Sequence, residues 1–300
     1  MIDLSVIILT FNEELHIRRC LENVRQLSEK IYVVDSFSTD KTKEIATELG
    51  AAVIEHQWPG NQAEQFNWAL DNLPISTKWV MRLDADEYIT PELLEEISVK
   101  LPNVNENVSA IVLPLGRAFM GKLLKHGIVN GIKMIRIFRF GKARYEHRLM
   151  DEHLTVPTGE IITFKNKFID DNRMPIRHFI DKHNAYSSRE AALLLDAEYN
   201  LTNNSKDCTH KYCEEVKHKR EQKSKYARMP LFWRAFSYFV YRYIGKLGFL
   251  DGKEGFLWDF LQGFWYRILV DAKIYEIKKK CGNDREKIKA LLKLDYNITL

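Results

Sequence analysis

Three carboxylates lie together in the segment WVMRLDADEYITPELL, residues 79–94: Asp84, Asp86 and Glu87. Carboxylates this close repel one another and lose hydration, so they need a compensating partner. Side chains two residues apart on a strand point to the same side, which would aim Asp84 and Asp86 the same way. Hard divalent cations such as Mg²⁺ or Mn²⁺ prefer oxygen ligands and are commonly shared with substrate phosphates. The segment therefore predicts a cation site for a nucleotide diphosphate, and the alternative is a loop with acidic residues on its surface.

The elements around this segment alternate between strands and helices over the first hundred residues. β-Branched apolar runs predict four strands, and amphipathic stretches between them predict helices. The predicted strands are 4–9, 31–36, 51–56 and 78–84, and the predicted helices are 10–27, 38–50, 61–73 and one that Thr90 and Pro91 open. Such alternation predicts a parallel sheet covered on both faces, with ligands beyond the carboxyl ends of its strands. One crevice would then collect residues 10–13, 35–36 and 84–87.

The remaining chain divides into a mixed part and a helical part. Strand patterns with irregular connections continue after residue 105, and the pattern is helical from about Asp181 to the end. We therefore expect an α/β domain over residues 1–215, with halves 1–105 and 106–215, followed by a helical region over residues 216–300.

Four ordered motifs carry a family resemblance. The segments VIILTFNEE, VVDSFSTDKT, one ending in NWAL, and RLDADE resemble the nucleotide-sugar-binding half of glycosyltransferase family 2, over roughly residues 2 to 100. The segments KHNAYSSREA and GFLDGKEGF make the whole chain similar to bacterial members that build lipopolysaccharide core or capsule. The resemblance implies the GT-A fold, a Rossmann-like mixed sheet flanked by helices, with a helical C-terminal region. It also implies transfer of a sugar with inversion.

The resemblance also implies roles for individual residues. Thr10, Asn12 and Glu13 match the loop that lines the nucleotide base pocket, and Asp35 matches the acidic residue that contacts base and ribose. Asp86 matches the metal-holding carboxylate, with Asp84 at the ribose or sugar. Gln65 or Asn67 would face the diphosphate or donor sugar. His183 is a further candidate, which would approach the diphosphate or metal, and a packed, hydrogen-bonded histidine is the alternative. An ordinary helix-surface position for Asn67 stays open.

A catalytic base is expected in the segment RLMDEHL. Inverting transfer needs a general base that takes the proton of the acceptor hydroxyl. The family has a carboxylate at this point, often in the order Glu-Asp, whereas this chain has Asp151 followed by Glu152. Neighbouring side chains of an extended segment point oppositely, so we expect one of the two to face the crevice, and Glu152 is the first choice. The alternative pairs both carboxylates with Arg144 or Arg148.

The C-terminal region is both basic and aromatic. Nine Lys or Arg residues and one acid lie between residues 217 and 246, interleaved with eight aromatic residues, and FLWDFLQGFWYRILV adds six more. Such composition on helices predicts an interfacial segment that contacts an anionic membrane surface. Packing on the catalytic domain or in a homo-oligomer stays open as the alternative. A net charge of only +4 and aromatics at helical spacing do not favour a nucleic-acid partner.

Together these features predict a metal-dependent inverting glycosyltransferase. It would use Mn²⁺ or Mg²⁺ and move a hexose from a nucleotide-diphosphate sugar, by resemblance a UDP-sugar, to a hydroxyl of a lipid-linked glycan. The start MIDLSVIILTFNEE has no signal-peptide pattern, so we expect a cytoplasmic protein held peripherally at the inner membrane. A sugar-nucleotide nucleotidyltransferase is less favoured, because that class opens with a glycine-rich basic loop. The alternative of another class is a non-catalytic binding protein of the membrane surface.

Overall fold

The computed structural model describes residues 2–129, 131–146, 153–202 and 225–299. The chain divides into two compact units. The first, here called the sheet unit, comprises residues 1–124 and 129–173, and the second, here called the helical unit, comprises residues 125–128 and 174–300. The predicted boundary near residue 215 lies outside the described residues and stays a prediction.

The first half of the sheet unit is the parallel sheet that the alternating pattern predicts. Its strands are β1 (Leu4–Thr10), β2 (Lys30–Asp35), β3 (Ala52–Glu55) and β4 (Trp79–Asp84). They run parallel in the order β3-β2-β1-β4. Ile and Val runs in β1 and β2 are buried on both faces, as expected when helices cover a parallel sheet.

Four helices follow these strands: α1 (Ile17–Val24), α2 (Thr42–Glu48), α3 (Gln62–Asn72) and α4 (Pro91–Lys100). The Thr90 hydroxyl caps α4 by accepting a hydrogen bond from the Leu93 N–H at 3.3 Å, as the Thr-Pro start predicts. The predicted helix over residues 10–27 is wrong at its start. Asn12 has a left-handed φ of 57°, so residues 11–16 form a loop and α1 begins only at Ile17.

The second half of the unit makes the sheet mixed. A 3₁₀ turn (Leu101–Asn103) follows α4. The further strands are β5 (Glu87–Ile89), β6 (Val108–Phe119), β7 (Lys122–Leu124), β8 (Lys133–Arg139), β9 (Arg144–Tyr145), β10 (Leu154–Thr155), β11 (Glu160–Thr163) and β12 (Phe168–Asp170). Strand β8 lies between β4 and β6 and is antiparallel to both. Strand β12 lies between β6 and β5, parallel to β6 and antiparallel to β5. A mixed sheet flanked by helices confirms the predicted GT-A-type α/β fold class.

One apolar core joins the sheet to its helices. Buried side chains of β1, such as Val6 and Ile8, pack with Ile17 and Leu21 of α1 and with Ile97 of α4. Burying a side chain of this size contributes about 1.5–3 kcal/mol. The core therefore fixes the strand ends from which the polar loops emerge.

The helical unit has a separate core. Its helices are α5 (Ile176–Tyr199), α6 (Trp233–Val240), α7 (Gly252–Trp258), α8 (Tyr266–Cys281) and α9 (Arg285–Tyr296). Two π-helical segments (Tyr241–Gly245 and Asp259–Trp265) and a 3₁₀ turn (Gly248–Asp251) connect α6, α7 and α8. Leu195 of α5, Ile274 of α8 and Leu292 of α9 pack together in its core. The predicted helical C-terminal region is confirmed, and within the described ranges we find no helix long and apolar enough to cross a bilayer.

The turn before β11 generates a stability prediction. Gly159 has φ +90°, and a Cβ there would lie 2.8 Å from the Asn107 carbonyl and 2.9 Å from Ser109 Cβ. Gly141 has a similar φ of +76° but open space around it. Positive φ costs an L-residue about 1–2 kcal/mol, and overpacking adds about 1–3 kcal/mol. We expect Gly159→Ala to lower the unfolding midpoint clearly more than Gly141→Ala in thermal melts followed by circular dichroism. Equal shifts would contradict the close approach.

Candidate active site at the carboxyl edge of the parallel strands

The ends of β1 and β2 are joined by a buried carboxylate. Thr10 and Asp35 are register partners, and the Thr10 hydroxyl donates to Asp35 Oδ2 at 2.7 Å. The Asp35 carboxylate is fully buried and also accepts from the backbone N–H and the hydroxyl of Ser38, at 2.7 and 2.6 Å. Asp35 therefore fixes the loop after β2 as well as the end of β1.

The loop after β1 interlocks with the loop after β2. The Asn12 N–H donates to Ser38 Oγ at 2.8 Å, and Asn12 Oδ1 accepts from the Thr39 N–H at 2.8 Å. The Glu13 N–H donates to Thr42 Oγ1 at 2.7 Å. Because side chains of one loop bind the backbone of the other, the two loops form one shaped polar edge. The predicted residues Thr10, Asn12, Glu13 and Asp35 all lie there.

Two exposed aromatic residues on these loops are not among the site residues predicted from the sequence. Phe11 is 59% exposed and Phe37 is 49% exposed, although both are flanked by residues that hold the loops together. Phe37 also has a left-handed φ of 61°. A flat apolar ring beside a polar edge suits stacking against a nucleobase. The signal in the sequence is an aromatic residue directly between polar residues at a strand end.

Glu13 and His16 connect this edge to the chain after β12. His16 is buried, and its Nε2 accepts a hydrogen bond from the Arg173 N–H at 2.8 Å. The proton of the neutral ring is then on Nδ1, which donates to Glu13 Oε2 at 2.6 Å. The segment that follows β12 therefore holds the first loop in place.

Asp84 lies between two buried arginines. Arg82 of β4 contacts Asp84 Oδ1 through Nε at 3.3 Å and Nη2 at 3.2 Å, and Arg136 of β8 lies 3.7 Å from Asp84 Oδ2. Burial alone would lower the pKa of both guanidinium groups, but the neighbouring carboxylates raise it, so both arginines stay charged. Asp84 itself is partly exposed, with 30% of its side chain accessible.

Glu87 completes this charge network from the buried side. Its carboxylate pairs with Arg136 and accepts a hydrogen bond from the Asp84 N–H at 2.9 Å. Burial raises the pKa of the Glu87 carboxyl well above its ordinary value, and Arg136 opposes that rise. Glu87 therefore positions the backbone of the acidic segment and has no exposed face for a ligand.

Asp86 differs from both of its acidic neighbours. Its side chain is half-buried, and Asp86 Oδ2 accepts from Asn172 Nδ2 at 2.9 Å. Its backbone carbonyl accepts from Arg19 Nη2 at 3.1 Å and from the Asp171 N–H at 3.0 Å. Within the described ranges, no Lys, Arg or His side chain forms an ion pair with the Asp86 carboxylate. Of the three carboxylates of this segment, Asp86 is therefore the one without an ion-pair partner among the described residues.

This donor set fits a hard cation that is shared with a substrate. Asp84 and Asp86 are both half-buried, whereas Ala85 and Glu87 are buried, and the predicted common orientation of the two aspartates stays a prediction. No group of three or more His, Cys, Asp or Glu residues in the described part of the chain could hold a metal ion. Mg²⁺ commonly binds through one or two carboxylates and completes its octahedron with phosphate oxygens and water.

Gln65 and Asn67 of α3 have different surroundings. Gln65 is buried beside the end of β2, where its Nε2 donates to Ser36 Oγ at 3.2 Å and its Oε1 accepts from His56 Nδ1 at 2.7 Å. The Asn67 amide bonds the backbone of Tyr145 in both directions, at 2.9 and 3.0 Å. Asn67 thus holds β9 against α3, and its predicted contact with the donor stays a prediction.

The remaining predicted residues are Asp151, Glu152 and His183. Asp151 and Glu152 lie outside the described residues. His183 belongs to α5 in the helical unit, where its Nδ1 donates to the Phe179 carbonyl at 2.8 Å and its ring stacks on Phe179 at 3.8 Å. Its edge also contacts Tyr266. These contacts explain its packing, and a role as a metal ligand stays a prediction.

A family model described as Glycosyl transferase family 2 matches residues 5–192, more than half of the chain. The chain therefore belongs to glycosyltransferase family 2, and the family resemblance of the sequence motifs is confirmed. An uncharacterized glycosyltransferase of Rickettsia typhi is 26% identical over 289 residues, which cover 93% of this chain and 89% of the relative.

Two further similarities concern named proteins. The lipopolysaccharide core biosynthesis glycosyltransferase LpsC of Rhizobium meliloti is 28% identical over 208 residues, 63% of this chain and 70% of that protein. The crystal structure of glucosyl-3-phosphoglycerate synthase from Mycobacterium tuberculosis, in complex with Mn²⁺, UDP and glucosyl-3-phosphoglycerate, is 23% identical with a TM-score of 0.32. That match covers 38% of this chain and 44% of that structure.

The buried pair of Glu87 and Arg136 generates a prediction. Removing one charge of a buried ion pair leaves the other uncompensated and costs about 3–5 kcal/mol. Glu87→Gln should therefore lower the free energy of unfolding by roughly 3 kcal/mol, measured by urea denaturation. The matched control is Glu106→Gln, since Glu106 is 92% exposed and pairs with Lys78 only at the surface. A Glu87→Gln protein as stable as that control would contradict the structural role of the pair.

Proposed function

We propose that this family 2 glycosyltransferase moves a hexose from a UDP-sugar to a hydroxyl of a lipid-linked cell-envelope glycan. Membership of the family supports sugar transfer, and the similarity to LpsC favours an acceptor of the lipopolysaccharide-core or capsule type. The observation that carries the proposal is the carboxylate of Asp86. It lies at the carboxyl edge of a parallel sheet, half-buried, without an ion-pair partner among the described residues.

Asp86 would hold Mg²⁺ or Mn²⁺ together with the diphosphate of the donor. When bound, the cation supplies neutralisation of the charge that develops on the leaving diphosphate. Asp84 is already neutralised by Arg82 and Arg136, so it suits a hydrogen bond to a ribose or sugar hydroxyl better than a full ligand bond. The two aspartates would thus divide metal holding and sugar orientation between them.

The interlocked loops after β1 and β2 would bind the nucleoside. Thr10, Asn12, Glu13 and Asp35 give a polar edge whose shape is fixed by hydrogen bonds within the protein. The exposed ring of Phe11 lies next to that edge in the chain and could stack on the base. A site fixed in advance loses little conformational entropy when the nucleotide binds.

The transfer itself requires one displacement at the anomeric carbon. The acceptor oxygen forms a bond to that carbon while the bond to the diphosphate oxygen breaks, and the diphosphate leaves with the electron pair. The proton of the acceptor hydroxyl goes to a carboxylate, for which we propose Glu152 with Asp151 as the alternative. Attack opposite to the leaving group inverts the configuration.

An acceptor that carries a lipid stays in the bilayer. We therefore propose that the enzyme works in the cytoplasm, held peripherally at the inner membrane.

Asp86→Ala tests the proposed metal site. A panel of UDP-, GDP- and dTDP-sugars with Mn²⁺ or Mg²⁺ should first reveal a donor from which the wild-type enzyme releases the nucleotide diphosphate. We expect Asp86→Ala to reduce this release on the order of 100-fold or more, because the leaving charge is no longer neutralised. Mn²⁺ binding in the presence of UDP, followed by electron paramagnetic resonance, should weaken in parallel.

Glu48→Ala is the matched control for Asp86→Ala. Glu48 is an exposed carboxylate of the same unit that pairs with Arg18 at the surface. Its removal should change neither release nor Mn²⁺ binding. Unchanged, metal-dependent release by Asp86→Ala would contradict the proposed site, and no release from any donor by the wild-type chain would favour a non-catalytic binding protein.

Glu152→Gln tests the proposed base. Loss of a general base typically costs about 10²–10⁴-fold in rate, so kcat for transfer to an acceptor should fall on the order of 10³-fold. Mn²⁺ and UDP affinity should stay unchanged, since the base contacts the acceptor. Asp151→Asn serves as the neighbouring control with a small expected effect. The reverse pattern would assign the base to Asp151, and two fully active variants would exclude this segment.

A further inference from the structure

The helical unit carries a concentration of exposed apolar side chains. Of the 22 large hydrophobic residues that are exposed in the described part of the chain, ten lie between residues 229 and 256. The most accessible are Trp233 at 70%, Ile244 at 59% and Leu250 at 55%. A soluble surface rarely gathers so many apolar side chains in one short stretch without a binding partner.

Spacing and ring contacts relate these side chains to one another. Along α6 and the π-helical segment after it, Trp233, Phe236 and Ile244 recur at helical spacing on the exposed side, and exposed Leu247 lies just after the π-helical segment. A chain of ring contacts continues from Trp233 through Phe236 to Phe264, with centroids 6.3 and 6.4 Å apart. We call the exposed residues Trp233, Phe236, Ile244, Leu247, Phe249 and Leu250 the aromatic strip.

Ring contacts also extend to the far end of the strip. Phe239 stacks on Tyr243 with centroids 5.6 Å apart, and Tyr243 meets Phe249 at 6.2 Å. Phe264 joins the two halves, because it contacts both Phe236 and Phe239. Linked rings beneath an exposed edge make a stiff apolar surface.

Buried ion pairs hold the strip in its outward orientation. Arg234 Nε donates to Asp271 Oδ1 at 2.8 Å, and Arg242 Nε donates to Asp259 Oδ1 at 2.8 Å. All four side chains are buried. Because Arg234 of α6 and Arg242 of the π-helical segment point inward to these partners, the opposite side of each element, which carries Trp233, Phe236 and Ile244, faces outward.

The exposed charge around the strip is positive. Four cationic residues in or beside it are exposed: Lys225, Arg228, Lys246 and Lys253. The acids of this stretch are mostly turned inward, since Asp251 is buried against His126 and Asp259 against Arg242. Glu254 is the remaining acid between residues 225 and 260, and it is half-buried. Apolar side chains with a cationic rim match an anionic lipid bilayer, whereas a second copy of the same surface would bring like charges together.

We propose that the aromatic strip and its four cations dock the helical unit on an anionic membrane surface. Trp233, Phe236 and Ile244 would enter the interfacial layer, while Lys225, Arg228, Lys246 and Lys253 would contact the lipid headgroups. The inference deepens the proposed function and rests on it for its purpose, because a lipid-linked acceptor would be met at this surface. The docking itself requires no particular sugar or acceptor.

Cosedimentation of the full chain with vesicles tests this docking. Wild-type protein should bind vesicles of phosphatidylcholine mixed with phosphatidylglycerol, bind pure phosphatidylcholine much more weakly, and dissociate as salt is raised. The triple variant Trp233→Ser, Phe236→Ser, Ile244→Ser should lose binding on the order of 100-fold. Replacing the four cations by Gln should also lower binding strongly, at about fivefold for each residue.

The matched control replaces three exposed apolar residues outside the strip: Val99→Ser, Phe140→Ser and Leu294→Ser. This control should bind vesicles like the wild type. Equal binding by control, triple and cation variants would overturn the proposal. If the triple variant does not fold, Trp233→Ser and the cation variant alone decide the result, since both change exposed side chains.

Two further measurements separate this inference from its alternatives. Analytical ultracentrifugation without lipid should give the same oligomeric state for wild type and triple variant. The alternative outcome is a dimeric wild type, a monomeric triple variant and no vesicle binding by either protein. That outcome would show that the aromatic strip binds a second copy of the chain and not a membrane. Metal-dependent release of UDP from a soluble donor should persist in the strip variants, whereas Asp86→Ala should lose release and keep vesicle binding. Failure of the docking and failure of the proposed chemistry therefore give different results.

Discussion

The acidic end of β4 depends on compensation by two buried guanidinium groups. Asp84 and Glu87 share Arg136, and Asp84 also contacts Arg82, so two carboxylates are balanced by two cations within a largely buried network. Without these arginines, neighbouring carboxylates at a strand end would be strongly disfavoured. Neither arginine pairs with Asp86, so Asp86 is the carboxylate of this segment that has no ion-pair partner among the described residues.

The parallel half of the fold could be predicted because its signals are local. Ile and Val runs specify buried strands, and Thr90 before Pro91 specifies a capped helix start. The start of α1 was predicted wrongly because the loop after β1 depends on distant partners. Ser38, Thr39 and Thr42 bind the backbone or side chains of residues 12–13, and no periodicity within residues 10–16 encodes those bonds.

The acidic residues of the candidate site can be predicted from the sequence, whereas the residues that support them cannot. Arg136 looks like an ordinary polar position of a strand, since its partners Asp84 and Glu87 come from a different part of the sequence. Asn172 follows Asp86 by 86 positions, and only the pairing of β5 with β12 brings the two segments together. Asn67 shows that a polar residue in a family motif can have a structural contact that the sequence does not reveal, because its amide bonds the backbone of Tyr145.

The loop after β1 is held from three directions, by Ser38 and Thr39, by Thr42, and by Arg173 through His16. Exchange of this loop alone with that of another transferase, as an attempt to alter donor preference, would separate it from all three supports. A successful chimaera would need to transplant the loop after β1, the loop after β2 with the start of α2, and the residues after β12 as a single block.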